Sequence, residues 1–163
     1  MIVMNDFLKI QEEVDSLIIN KIDVRFKDTI IDRKIAFHVE LGELANEIGF
    51  FKYWKKSHKK DHERIKDEWA DCLAFLNSIT ITLGYGEEIN KVFGRLITFL
   101  SHKNIKDYYY RLSINRLYDF VDIESAYNDL FKLGYSLGYT LEELSEAYIN
   151  KSNENIRRAK EGY

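Results

Sequence analysis

Proline is missing from this chain of 163 residues, glycine is sparse at eight, and there is one cysteine. Without proline, the strongest helix breaker is gone, and long uninterrupted helices are favoured over loop-rich β architecture. One cysteine excludes an intramolecular disulfide and a cysteine-built metal site; Cys72, beside Leu73 in a helical pattern, reads as a core residue. No run approaches the roughly 20 apolar residues of a membrane span, and Met1 to Asp6 lacks the basic start and apolar stretch of a secretory signal. A cytoplasmic protein with no membrane partner is expected. A broad basic surface is lacking too: the net charge is −3, so no nucleic-acid partner is expected, although a nucleotide would need only a local basic patch. There is no glycine-rich phosphate loop, no serine or cysteine nucleophile with a paired histidine, no internal repeat and no Glu-x-x-His pair of the di-iron type.

What is present is 45% apolar and 31% charged residues, ordinary for a globular protein, at a length that is most simply one domain over residues 1–163 with a sizeable core. Two acidic pairs dominate the pattern, Glu40 with Glu43 and Glu68 with Asp71. Carboxylates three apart on a helix sit roughly 60° and 4.5 Å from one another, so each pair is a two-pronged clamp. The opposite faces are apolar, with Phe37, Leu41, Leu44, Ile48 and Phe51 in the first segment and Ile65, Trp69, Leu73, Leu76 and Leu83 in the second. An antiparallel hairpin would make the clamps face each other. Four converging carboxylates need a cation or bound protons, and an all-oxygen ligand set suits Mg²⁺ or Mn²⁺ rather than zinc. Two clamps that merely solvate helix faces, in a non-catalytic interaction module, are the competing interpretation.

Along the chain, a first helix runs from Asp6, as N-cap, to about Asn20, with Gln11 and Asp15 on one face. Asp28 or Thr29 caps the first clamp helix, which extends to about Phe51; Asn46 is three residues past Glu43, and Glu47 one turn past it is either an outer partner of the site or a surface residue. Residues 52–66 hold seven Lys or Arg against two carboxylates, a loop able to steer a polyphosphate or simply a solvated one. Trp54 in that loop is positioned to stack on a base or on another subunit. His58 and His62 have i, i+4 spacing but no third ligand. Asp61 caps the second clamp helix, which stops near Gly84. Residues 87–120 read as helical, with Ile89, Val92, Phe93, Leu96, Ile97 and Leu100 as one stripe and Tyr108, Tyr109 and Tyr110 as packing or a dimer surface; another helix covers about 123–137. Thr140 and Glu143 form a capping box, and the helix that follows aligns Lys151, Asn155 and Arg158 on one face, a phosphate clamp or a charged solvent face.

E-x-x-E, a gap of 24 residues and E-x-x-D resemble the all-α NTP pyrophosphatase superfamily of MazG proteins, phosphoribosyl-ATP pyrophosphohydrolases and dimeric dUTPases. With Phe51-Lys52-Tyr53-Trp54 after the first pair, and with Lys151, Asn155, Arg158 and Gly162-Tyr163 closing the chain, the sequence is most similar to the dimeric dUTPases over most of its length. That resemblance implies an all-α homodimeric bundle with Glu40, Glu43, Glu68 and Asp71 as Mg²⁺ ligands; one of these carboxylates, for which Glu43 is the choice here, would act as general base. It implies dUTP cleavage to dUMP and pyrophosphate, and dUDP as a further substrate. It places Gln11 and Asp15 on the base and sugar, Trp54 in the uracil pocket, and Lys151, Asn155 and Arg158 in the family's C-terminal pattern, a phosphate clamp; beside these, Phe75 is a further substrate-binding candidate, and the Asn46 amide either hydrogen-bonds a bound sugar or base or is a polar residue at the edge of the helix interface. Family members commonly have His where this chain has Ala74, a departure next to Phe75. A dCTP or broader MazG-like pyrophosphatase is the alternative within the superfamily.

Overall fold

The structure, a computed structural model, describes residues 4–98 and 104–162. Among them are seven α-helices and no strand: α1 (Met4–Ile19), α2 (Ile30–Ile48), α3 (His62–Leu83), α4 (Gly86–Thr98), α5 (Ile105–Ser113), α6 (Phe120–Ser136) and α7 (Leu141–Lys160), with a 3₁₀ turn at Phe26–Thr29 before α2. The expected all-α class is what the backbone shows. No helix among the described residues is long and apolar enough to cross a membrane.

Helices α2 and α3 pack along each other more extensively than any other pair. Their ends show that they are antiparallel: Arg33 early in α2 donates to the Ser78 carbonyl and the Thr82 hydroxyl late in α3, while Glu47 late in α2 pairs with Arg64 early in α3 at 3.0 Å. The apolar faces of both helices then turn inward. Trp69, between the two acidic residues of its clamp, is fully buried, donates to the Leu130 carbonyl at 2.9 Å and meets Phe131 edge-on at 5.1 Å. Phe131 contacts Phe93, and Phe7 contacts Phe93 and Tyr148, so one aromatic cluster joins α1, α3, α4, α6 and α7. Gly134 permits that closeness, because a Cβ there would lie 2.7 Å from the Leu144 Cδ1. Burying such rings supplies much of the core's apolar area. The carboxylates are left on the opposite side of α3.

Several boundaries differ from the sequence expectation. Helix α1 begins at Met4, so Asp6 lies in its first turn instead of capping it. Thr29 precedes α2 without a side-chain cap, since its hydroxyl donates to the Phe26 carbonyl. Helix α2 ends at Ile48, where Gly49 adopts φ 75° and returns its N–H to the Ala45 carbonyl; Phe51 is therefore outside the helix and off the core. Residues 87–120 are not one helix, because α4 and α5 are separate and the chain from 114 to 119 is non-helical, with Leu117 at φ 52°. The stripe of Ile89, Phe93 and Leu96 is buried as expected, while its last member, Leu100, and the terminal Tyr163 are outside the described residues. The three tyrosines diverge: Tyr108 is buried, Tyr109 packs on Phe50 at 5.2 Å and Tyr110 is exposed. The caps at Asp61 and Thr140 form as expected, each accepting from the backbone N–H three residues on.

Candidate active site

The antiparallel pairing of α2 and α3 brings the two clamps together. Ligand oxygens of Glu40, Glu68 and Asp71 lie within 4.8 Å of one another. Glu43 is more exposed on α2, yet hydrogen-bonds Glu40 and acts electrostatically on Glu68 and Asp71. Burial first, then the neighbouring carboxylates, pushes Glu40 up to about 8 and Glu68 up to about 7. Asp71 is raised by burial as well, although Lys151 pulls the other way. One oxygen of Glu68, Oε2, is buried with no hydrogen-bond partner. Crowded carboxylates of elevated pKa, with a buried orphan oxygen and no nitrogen or sulfur donor among them, fit a hard divalent cation bound through oxygen.

Beside this cluster opens a cavity of about 600 Å³ between α1, the 3₁₀ turn, α2, α3 and α7. Glu40 and Asp71 belong to its wall, so cluster and cavity are continuous. Val14, Ile18, Phe26, Ala74 and Phe75 make much of the lining apolar, while Gln11, Asp15 and Ser78 supply polar groups. Such a lining suits a flat heterocycle with a polar edge. Asn155 and Arg158 line the cavity from α7, with Arg158 paired to Glu154, and Lys21 reaches the Ala159 carbonyl from the other side.

Seven of the residues singled out by sequence thus meet here: Gln11, Asp15, Glu40, Asp71, Phe75, Asn155 and Arg158. Lys151 does not sit open to a phosphate. Its ammonium bridges Asp67 and Asp71, both at 2.8 Å, and its side chain is only 12% exposed. The local negative field accounts for that position, since two hydrogen-bonded carboxylates outweigh the cost of burying the lysine and raise its pKa. Asn46 and Trp54 are not on the cavity wall either. Asn46 borders a separate groove with Phe50, Tyr109 and Tyr110, and Trp54, 62% exposed, stands against Phe51 and Tyr53 in the loop after α2. The early stop at Gly49 turns the chain away and carries Trp54 with it. His58 and His62 are engaged singly, with the Glu47 carbonyl and the Tyr139 hydroxyl.

Sequence reasoning passed over Arg33. It is buried, donates to Thr29, Phe26, Ser78 and Thr82, and lies 4.0 Å over the Phe26 ring. A signal was present, because Arg33 is four residues before Phe37 on the apolar stripe of α2, where a charge is out of pattern.

Two antiparallel helices that bring Glu40, Glu68 and Asp71 together beside a cavity of about 600 Å³ make a site of the class that suits a divalent cation and a small ligand with a polar edge. A family model described as dUTPase matches residues 3–163, nearly the whole chain. The chain belongs to this all-α dUTPase family, whose members are divalent-metal-dependent hydrolases acting on dUTP. A search of curated proteins gave no match. Family membership sets aside the non-catalytic interaction module.

Proposed function

We propose that this chain is a Mg²⁺-dependent dUTP pyrophosphohydrolase that forms dUMP and pyrophosphate, accepts Mn²⁺ in place of Mg²⁺, and also cleaves dUDP. The observation that carries this reading is the shared position of Glu40 and Asp71, which belong both to the carboxylate cluster and to the cavity wall. A nucleoside in the cavity would lay its polyphosphate against the carboxylates. Glu40, Glu43, Glu68 and Asp71 are the residues that would hold Mg²⁺, which when bound neutralises charge gathering on the phosphoryl oxygens. Lys151 orients Asp71, while Asn155 and Arg158 contact the phosphates from α7. Glu43, the most exposed of the four, orients the attacking water and accepts its proton as the phosphoanhydride bond breaks and pyrophosphate leaves. Gln11, Asp15 and Phe75 hold the nucleoside.

The chain folds as one cytoplasmic domain and acts as a homodimer. Support for the dimer comes from the outer face of α2, where Ile31, Ile35 and Val39 step by four and all stand exposed. A dCTP-preferring or broader MazG-like pyrophosphatase is the second reading, favoured by Ala74 on the cavity wall and by Trp54 standing away from it.

Pyrophosphate release from dUTP, dCTP, dTTP and UTP, with Mg²⁺ and with excess chelator, tests the proposal. Chelator-sensitive turnover of dUTP far above the others is expected, and Glu43→Gln should fold normally yet lose about 10²-fold or more in kcat. Comparable turnover of several nucleotides would move the protein to the second reading, and full activity in the Glu43→Gln variant would remove Glu43 from the chemistry.

A further inference from the structure

Lys151 reaches from α7 to two carboxylates of α3 that stand one helical turn apart. Its ammonium lies 2.8 Å from Asp67 Oδ2 and 2.8 Å from Asp71 Oδ2. The two partners belong to different surroundings. Asp71 is part of the carboxylate cluster and of the cavity wall, whereas Asp67, half exposed, lines a separate polar hollow of about 320 Å³ with Glu63, Glu146 and Asn150. Lys151 is also near enough to Glu68 to act on it electrostatically, yet Glu68 Oε2 is buried without a hydrogen-bond partner. A cation in the field of Glu40, Glu43, Glu68 and Asp71 is drawn in among them, and the one partner holding this ammonium from the other side is Asp67.

We infer that Asp67 is a positioning residue of the proposed metal site: it tethers Lys151 at the rim of the carboxylate cluster, so that the ammonium fixes one oxygen of Asp71 without moving in to take the place of the divalent cation. This rests on the metal-dependent reading above. Without Asp67, the ammonium still has a buried, unpaired acceptor within its field, Glu68 Oε2, and a bridge from Asp71 to Glu68 would satisfy both. Both of those residues are in the cluster that would bind the cation. A lysine lodged between them would occupy the oxygens the cation needs and repel it as well. Groups that hold the partner of a metal ligand in this way change metal affinity by about 10- to 100-fold when removed.

Mn²⁺ binding without nucleotide, read from loss of the free-ion signal in electron paramagnetic resonance at about 0.15 M salt, tests the inference apart from turnover. Asp67→Asn should weaken Mn²⁺ binding about tenfold, because the freed lysine competes for the site. In a Lys151→Met background, where no ammonium can move in, the same Asp67→Asn change should weaken it by no more than about twofold, the remainder being the screened charge of Asp67 itself. That dependence on Lys151 separates a tether from a mere loss of negative charge, which would weaken binding equally in both backgrounds. Asp67→Ala and Lys151→Gln serve if either of the first variants fails to fold. Equal losses in both backgrounds overturn the inference, as does an Asp67→Asn variant that binds Mn²⁺ like the parent; either result leaves the metal site standing. A parent that binds no Mn²⁺ removes the four-carboxylate metal site and the inference with it.

Discussion

Glu40 shows how a single side chain can report on the proposed metal site. Its carboxyl is pushed from 4.5 up to about 8 by burial and then by Asp71, Glu43 and Glu68. Because the folded pKa exceeds the unfolded one, the folded state holds the extra proton, and the stability this group contributes is complete below about pH 4.5 and lost as the pH rises through about 8. Glu68 has the same sign, with its folded value at about 7. Divalent cation competes with those protons. With chelator present, the melting temperature should fall between pH 6 and pH 9, and the increase on adding Mg²⁺ should be larger at pH 9 than at pH 6. Thermal melts at both pH values, with and without Mg²⁺, check this; an equal or larger Mg²⁺ effect at pH 6 would contradict it. At this scale the four carboxylates were readable from spacing alone. The partner of Lys151 was not, since Asp67 is 84 residues away in sequence and only packing of α3 against α7 joins them.

Elements are bounded here by residues whose backbone or side chain leaves little choice. The Thr140 box and the Asp61 cap were both visible in the sequence because each works within four residues. The end of α2 was not, because apolar residues continue through Phe50 and Phe51 and the helical stripe could have continued with them. Gly49 stops it for two reasons: φ 75° is strained for any side chain, and a Cβ would lie 2.6 Å from the His58 ring. His58 in turn holds the Glu47 carbonyl at 2.8 Å, which ties the loop to the end of the helix. Gly49→Ala should therefore cost about 2 kcal/mol, from the left-handed backbone together with displacement of His58. A denaturant midpoint within error of the parent would mean that the loop rearranges freely.

For the whole molecule, the decisive surface is the outer face of α2. The same helix puts Phe37, Leu41 and Leu44 in the core, Glu40 at the site, and Ile31, Ile35 and Val39 in solvent, so it is apolar on two sides. A helix of that kind is usually covered twice, once by its own fold and once by a partner. In the proposed dimer a second copy covers it. Light scattering should show a dimer for the parent and a monomer for Val39→Glu, with helical content unchanged; a Val39→Glu dimer would place the interface elsewhere.

The amino-acid sequence alone determined the helical class, the two acidic pairs and seven of the residues that line the cavity, because helix periodicity and caps are local and a helix places residues three or four apart on one face whatever surrounds it. Only the tertiary structure decided that Lys151 braces Asp67 and Asp71, that Trp54 stands outside the cavity, and that the buried Arg33 is part of the cavity wall. Those outcomes depend on which helices pack together and on where α2 stops. Burial and competing charges settle such matters across the whole chain, and no local pattern carries them.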